Sequence, residues 1–318
     1  MYTVYNLNEY KNYEEIIDLW NKEIGFIFPI TTKTFYYNIV NNSTYDRKNS
    51  YVALVDGNVV GFIITKLGSL QDDIIEYQNL GWISLFYVSQ KERKKGIGSQ
   101  LLNLVEEGFK SQNVIEIVVG KDMHNFFPGI PIDFNNLSTE WFAKRGYNVS
   151  RQTHDLISKA QKLPTFTIKN LNQFQFRLAN ITDEKVLIDF VKNNFSNRWA
   201  YEVRLIFQKP TKGNQVLICL DKDDIIAFCI INDSKEGNPT YNTVWNKRFD
   251  YLGGIGPLGV RKDKRHIGLG MDIVAWSCNY LKNKGVSDII IDWTGLISFY
   301  QKLGFEVWKS YFYTSKKF

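Results

Sequence analysis

The hydrophobic and polar positions along the chain predict the same series of elements twice. In the first half, two runs rich in β-branched residues flank the turn Asp-Gly-Asn at residues 56–58, which is a strong signal of a β-hairpin. In the second half, residues 216–230 carry the same pattern around a polar turn. Another apolar run follows each hairpin, at residues 82–88 and 251–260, and predicts a third strand.

Helical periodicity follows each third strand. Apolar residues spaced three and four apart share one face over residues 101–109 and again over residues 271–281. Short β-branched runs at residues 114–119 and 286–291 then predict buried strands. Each half closes on a short helix that a glycine stops, at Gly146 and at Gly304.

This repeated order predicts an α/β fold (α+β mixed sheet) of two tandem domains, each a mixed, mostly antiparallel sheet flanked by helices. The chain has 318 residues, which suits two domains of roughly 100 to 200 residues each. Aligning the halves predicts domains at residues 1–160 and 170–318, with a boundary around Pro164.

A glycine-rich motif, Arg-x-x-Gly-x-Gly, occurs between strand and helix in both halves, at residues 93–98 and 265–270. Glycines let the main chain approach an anion closely, and the N–H groups at a helix N-terminus favour negative charge. The motif therefore predicts a phosphate site. A Walker loop requires Gly-Lys-Ser/Thr, and a dinucleotide fingerprint requires a third glycine; neither is present.

Composition narrows the possibilities further. A hydrophobic content of 44% with 15% aromatic residues indicates a folded chain. Three cysteines and three histidines without paired spacing predict neither a disulfide framework nor a metal site. The net charge of +6 is spread along the chain, so we expect small anionic ligands and neither nucleic acid nor membrane as partner. With no signal peptide or membrane span, a cytoplasmic monomer or homodimer is expected.

The two motifs, each between an apolar strand and a helix and each followed by aromatic-x-Lys-x-Gly-aromatic or a close variant, resemble the GNAT superfamily of acyl-CoA-dependent N-acetyltransferases. The resemblance implies that acetyl-CoA is the cofactor, that the loop amides hold its pyrophosphate, and that the preceding strand splays from its neighbour to admit the pantetheine arm. The cofactor-binding residues it implies are Val88, Arg93, Lys94, Lys95, Gly96, Ile97, Gly98 and Ser99, and Leu258, Val260, Arg265, His266, Ile267, Gly268, Leu269, Gly270 and Met271.

The halves differ at the position where the superfamily usually carries a tyrosine that protonates the departing thiolate. Tyr300 occupies it in the second half and Phe142 in the first, so we assign catalysis to the second domain and a supporting role to the first. Asp292, at the end of an apolar run, is the first candidate for the base that deprotonates the amine, and Asp250 is the second. A core role for Tyr300 and an orienting role for Asp292 remain alternatives.

A narrower resemblance, to tandem GNAT proteins that include bacterial glucosamine/glucosaminide N-acetyltransferases, implies a primary amine on an amino sugar as acceptor. Trp293 is then a candidate for stacking on a sugar face. His124 and Asp133 are candidates for approaching the acceptor from the first domain. A peptide, protein or polyamine amine as acceptor, or a non-catalytic acyl-CoA-binding module, are the alternatives.

Overall fold

The computed structural model describes residues 1–71, 74–134, 137–210, 213–236 and 240–318. These residues form mixed sheets with helices on their faces. The chain divides into unit 1, comprising Met1–Thr153 and Lys309–Phe318, and unit 2, comprising His154–Trp308. The sequence predicted one division, at residues 160–170, with all later residues in the second domain. In the structure the last ten residues group with the first half instead.

Both units contain strands and helices. The strands are β1 Thr3–Asn6, β2 Tyr51–Val55, β3 Asn58–Leu67, β4 Leu80–Val88, β5 Glu116–Val119, β6 Ile130–Pro131, β7 Asn148–Lys159, β8 Gln175–Leu178, β9 Val216–Asp221, β10 Asp224–Asp233, β11 Leu252–Val260, β12 Asp288–Thr294 and β13 Glu306–Lys317. The α-helices are α1 Tyr13–Ile24, α2 Thr32–Phe35, α3 Ile97–Ser111, α4 Leu137–Ala143, α5 Glu184–Asn194, α6 Asn197–Phe207, α7 Leu269–Asn283 and α8 Ile297–Gln301. A π-helical turn, Tyr36–Val40, continues α2.

In unit 1 the strands follow the order β1-β2-β3-β4-β5-β13, with β6 beside β13. Only β4 and β5 are parallel among the pairings of the described residues in this unit. The predicted hairpin is present, because Asp56 and Gly57 both take positive φ, as a two-residue hairpin turn requires. Helix α3 packs on one face of this sheet and buries Leu101, Leu102, Val105 and Phe109 there.

In unit 2 the order is β7-β12-β11-β10-β9-β8, again with one parallel pair, β11 and β12, among the described pairings. The apolar face of α7 packs on one side of the sheet with Ile273, Val274 and Leu281 in its core. A second core, with Phe190, Val203 and Phe228, lies where α5 and α6 cover β9 and β10. The mixed, mostly antiparallel sheet flanked by helices is therefore confirmed.

The register makes the repeat exact in space. Val88 pairs with Gly61 in unit 1, and Val260 pairs with Ala227 in unit 2; the parallel pairs end at Ile83 with Val119 and at Ile255 with Ile291. Strands β4 and β11 also carry one extra residue at the same place, so the strand registers of the two sheets match position by position. Sites in one unit can thus be compared directly with sites in the other.

No helix among the described residues is long and apolar enough to span a bilayer.

Candidate active site

The glycine loop of unit 2 connects the end of β11 to the start of α7. His266 and Gly268 take positive φ values of 66° and 87°. Gly268 is the N-cap residue of α7, and no side-chain hydrogen bond caps this helix end. The first N–H groups of an α-helix have no partner within the helix, so they are directed at the space in front of α7. Arg265 closes the loop by donating from Nε to the Val260 carbonyl at 3.0 Å.

The two glycines of this loop fit a phosphate group for different reasons. Gly268 needs its left-handed conformation, whereas Gly270 has an ordinary φ, and a Cβ there would meet Phe299 at an unstrained 3.6 Å. Since neither conformation nor packing demands a glycine at 270, close approach by an outside group explains it. The loop therefore fits the pyrophosphate of acetyl-CoA.

Unit 1 has the same loop geometry before α3. Lys94 and Gly96 take positive φ values of 64° and 88°, and Arg93 Nε donates to the Val88 carbonyl at 3.0 Å. Here Arg145 Nη2 additionally donates to the Ser99 hydroxyl at 2.8 Å. Both loops thus present amides and exposed basic residues to an anion, and which of them binds the cofactor stays a prediction.

Beyond each loop the parallel strands part. Pairing of β11 with β12 ends at Ile255 and Ile291, after which β11 continues along β10 to Val260 and β12 along β7 to Thr294. Gly256 and Pro257 form the bulge at this point, and Pro257 has no N–H to donate. The opening lies beside Leu258 and Val260, the strand residues assigned to the cofactor.

Asp292 is the first residue of β12 beyond the paired region, and its side chain is half-buried. A Cβ on Gly256 would lie 3.8 Å from its Oδ1, so the carboxyl group lies at the bulge. Burial, then the charges of Asp155 and Glu202, raise the pKa of Asp292 to about 8. A carboxyl group in this state can exchange a proton near neutral pH.

Two more carboxylates surround this position, with one buried cation. Asp155 Oδ1 accepts a hydrogen bond from the Trp293 N–H at 2.9 Å. Glu202 Oε1 accepts one from Arg198 Nε at 3.0 Å, and both side chains are almost fully buried. Burial raises the pKa of Glu202, and the Arg198 charge opposes that shift. The surroundings of Asp292 are therefore net acidic.

Trp293 is held in an unusual conformation next to the base candidate. Its φ is 47°, which is rare for a bulky residue and is kept in place by the bond to Asp155. The Arg198 guanidinium lies 4.7 Å from the centre of its ring. One face of the Trp293 ring is thus covered by a cation, and its predicted stacking on a sugar stays a prediction.

Tyr300 lies on α8, and only 5% of its surface is exposed. Its ring packs edge-on against Phe299 and Phe305. Burial, then the proximity of Cys229 and of Asp292, raise its pKa well above the usual value. The phenol therefore keeps its proton at physiological pH, and the charge of Asp292 contributes to this shift.

Unit 1 lacks both groups at the matching positions. Val119 matches Ile291 in the strand register, so the next residue, Gly120, takes the place of Asp292. Phe142, which is buried, takes the place of Tyr300. Unit 1 consequently has a glycine loop and parted strands but neither a carboxylate nor a phenol there.

His124 and Asp133 lie in unit 1 and contact other residues of that unit. His124 Nδ1 accepts a hydrogen bond from Asn42 Nδ2 at 2.7 Å, and its ring stacks edge-on against Tyr37. Asp133 forms an ion pair with Lys309. Their approach to an acceptor stays a prediction.

Sequence reasoning did not find Asp155, Glu202, Arg198 or Asn242, because no motif marks them. Asp250, the second candidate for the base, is exposed ahead of β11, at the strand end opposite the opening. Among the described residues, no group of three or more His, Cys, Asp and Glu side chains has the arrangement of a metal site.

Comparison with known proteins places this geometry in context. Residues 13–127 match the acetyltransferase (GNAT) family, and this segment lies in unit 1. A comparison with curated protein sequences found no match.

Solved structures resemble the whole chain. A glucosamine N-acetyltransferase region, related to GCN5, of a fungal multi-domain GH3 β-N-acetylglucosaminidase is 24% identical, with a TM-score of 0.88 over 99% of this chain. The chain spans 38% of that protein's length. A tandem GNAT protein from the clavulanic acid biosynthesis pathway is 14% identical, with a TM-score of 0.67 over 100% of this chain and 98% of its own. A GNAT protein from Sphaerobacter thermophilus is 16% identical, with a TM-score of 0.63 over 84% of this chain and 80% of its own.

Residues 13–127 therefore match the GNAT family, and the chain as a whole shares the fold of these GNAT structures. The matched family model describes acetyltransferases, and it covers part of unit 1 only.

Proposed function

We propose that this protein is an N-acetyltransferase that transfers acetyl from acetyl-CoA to a primary amine, in a ternary complex bound to unit 2. The observation that carries the proposal is the presence of a carboxyl group, Asp292, and a phenol, Tyr300, in unit 2, where the matching positions of unit 1 hold Gly120 and Phe142. Acetyl-CoA supplies an activated acetyl thioester at this opening. The amides of residues 265–271 hold its pyrophosphate.

Asp292 acts as the general base and takes a proton from the acceptor ammonium at its carboxyl group. Its pKa near 8 suits this exchange, since the amine and the base then hold the proton with similar strength. Neutralising Asp292 also removes one of the causes that raise the pKa of Tyr300. Tyr300 thereby becomes a stronger acid at the moment when its Oη proton is needed.

The acceptor is a primary amine on an amino sugar. The carboxylates of Asp155 and Glu202 outnumber the one buried cation, Arg198, and this acidic balance attracts an ammonium group. An indole ring such as that of Trp293, next to Asp292 in sequence, is a side chain on which the apolar face of a sugar can stack. The glucosamine N-acetyltransferase region among the similar structures is a further reason to test this class of acceptor first.

The test is a thiol-release assay with acetyl-CoA and, in parallel, glucosamine, a glucosamine dimer, a peptide with a free N-terminus, and spermidine. We expect thiol release and a product heavier by one acetyl group with the sugars. Acetylation of the peptide or of spermidine alone would contradict the acceptor class. If acetyl-CoA binds and no amine releases thiol, catalysis itself is excluded and an acyl-CoA-binding module remains.

A further inference from the structure

A short 3₁₀ turn, Tyr241–Thr243, lies against the strands that part, and its central residue, Asn242, is 3% exposed. Close contact is possible only because residue 254 of β11 is a glycine. A Cβ on Gly254 would come within 2.1 Å of Asn242 Oδ1, which is far below any real contact. The backbone of β11 is thus shaped to receive this one amide.

The amide of Asn242 has a fixed orientation. Its Oδ1 accepts hydrogen bonds from Asn232 Nδ2 at 2.8 Å and from the Thr240 hydroxyl at 3.0 Å. Since the Asn232 amide N–H requires an acceptor, Nδ2 of Asn242 is directed the other way, and it donates to Asp292 Oδ1 at 3.2 Å and to the Gly256 carbonyl at 3.3 Å. One amide therefore ties the carboxyl group to the bulge where the strands part.

Unit 1 provides a comparison within the same chain. In its matching register, Lys66 pairs with Trp82 where Asn232 pairs with Gly254. The buried Trp82 removes the space that Gly254 leaves, and the buried Lys66 forms an ion pair with Asp122 instead of supporting an amide. The unit without the carboxylate thus also lacks the amide support.

We infer that Asn242, oriented by Asn232 and Thr240, is a positioning residue that holds Asp292 Oδ1 at the bulge and directs the other carboxylate oxygen, Oδ2, toward the acceptor amine. The inference rests on the proposed function of unit 2. Asn242 touches neither the acetyl group nor the acceptor in this role. It acts through Asp292 alone.

The inference predicts an effect on titration as well as on rate. The groups that face Asp292 are Asp155, Glu202 and Tyr300, with Arg198 paired to Glu202 and Cys229 next to Tyr300. Among these neighbours Asn242 donates a hydrogen bond to the carboxylate, which favours the charged form. Removing the donor therefore makes Asp292 harder to ionise.

The experiment compares Asn242→Leu with the unmodified protein by ¹³C NMR titration of the Asp292 carboxyl, assigned through Asp292→Asn. We expect the titration midpoint to move up by about one pH unit. At pH 7, kcat/KM should fall about tenfold and recover above pH 9, while the affinity for acetyl-CoA stays unchanged. Asn283→Leu, at the exposed end of α7, is the matched control and should move neither the midpoint nor the pH profile.

Gly254→Val is the second variant, because it displaces the amide without removing it and should shift the midpoint in the same direction. If the midpoint stays in place in a folded Asn242→Leu or Gly254→Val protein, the positioning role is excluded. The NMR titration needs no acceptor. An absence of turnover in the unmodified protein would therefore count against the proposed function, while the titration would still test the effect of Asn242 on Asp292.

Discussion

Asp292 is surrounded by groups that disfavour its charge, and this determines when it can act as a base. Burial and the charges of Asp155 and Glu202 raise its pKa to about 8, so the carboxyl group is largely protonated at pH 7. Only the ionised form can accept a proton. The fraction of competent enzyme therefore increases as the pH rises toward 8.

We accordingly expect kcat/KM to rise about tenfold per pH unit below pH 8 and to level off above it. The measurement is a pH profile with two acceptor amines of different basicity. A limb that stays near pH 8 with both amines belongs to the enzyme. A limb that follows the amine would contradict the assignment to Asp292.

The same raised pKa lowers stability at alkaline pH. A carboxyl group whose pKa is higher in the folded state binds its proton there while the unfolded chain has released it, so the free energy of unfolding decreases between about pH 4 and pH 8. Asp292→Asn should therefore stabilise the protein at pH 8 by about 2 kcal/mol and change it little at pH 4. Chemical denaturation at the two pH values measures this difference, and equal effects at both would show that burial does not penalise the charge.

Tyr300→Phe removes one oxygen from a buried ring and leaves its packing against Phe299 and Phe305 in place. We expect kcat to decrease about 10²- to 10⁴-fold, with little change in the affinity for acetyl-CoA. The matched variant Phe142→Tyr should add no activity, because Gly120 leaves that unit without a base. Steady-state kinetics and calorimetric titration of the cofactor would test both, and undiminished kcat in Tyr300→Phe would remove the phenol from the mechanism.

Tyr300 was predicted from the repeat, which aligns it with Phe142, and Asp292 was predicted from its place at the end of an apolar run; both catalytic roles stay predictions. Their supporting residues were not predicted. Asn242 is 50 positions from Asp292, and Asp155 is 138 positions from Trp293, so no local pattern connects them. A fixed hydrogen bond between distant segments is a property of the folded sheet.

At the level of elements, the two glycine loops provide a paired test. Gly268→Val forces a β-branched residue into a φ of 87° and places methyl groups where a phosphate would approach. We expect turnover to be lost and cofactor affinity to decrease at least about tenfold. Gly96→Val makes the same change in unit 1, and turnover should survive it. The reverse result would assign the productive site to unit 1.

Local patterns predicted the hairpins, the third strands and the helices after the glycine loops, because each depends on neighbours in sequence. The helix α6, Asn197–Phe207, lies between α5 and the hairpin of unit 2 as α2 lies between α1 and the hairpin of unit 1, and neither of them was predicted. Strand β13 was also missed, since Ser315 pairs with Val118 on a strand nearly two hundred positions earlier. Pairing at such separation leaves no signal in a single sequence.

On the scale of the whole molecule, each unit has its own core. A substitution that destabilises one core should therefore leave the stability of the other unit unchanged. Tyr311 of β13 is fully buried in unit 1, and Tyr311→Ala should destabilise that unit by about 3 to 5 kcal/mol. Hydrogen exchange should then accelerate in β4 and β5 and stay slow in β11 and β12. Ile289→Ala, in β12, is the matched change and should give the opposite map. Equal acceleration in both units would show that they unfold as one body.

The place of β13 also constrains how the protein is made. Residues 1–153 leave the ribosome first, yet β5 gains its outer neighbour only when residues 315–317 have been synthesised. Throughout the synthesis of unit 2, the nascent first unit displays an unpaired edge that can recruit other chains. Translation speed and chaperone supply should therefore influence the yield of native protein more than in a relative whose first domain closes its own sheet.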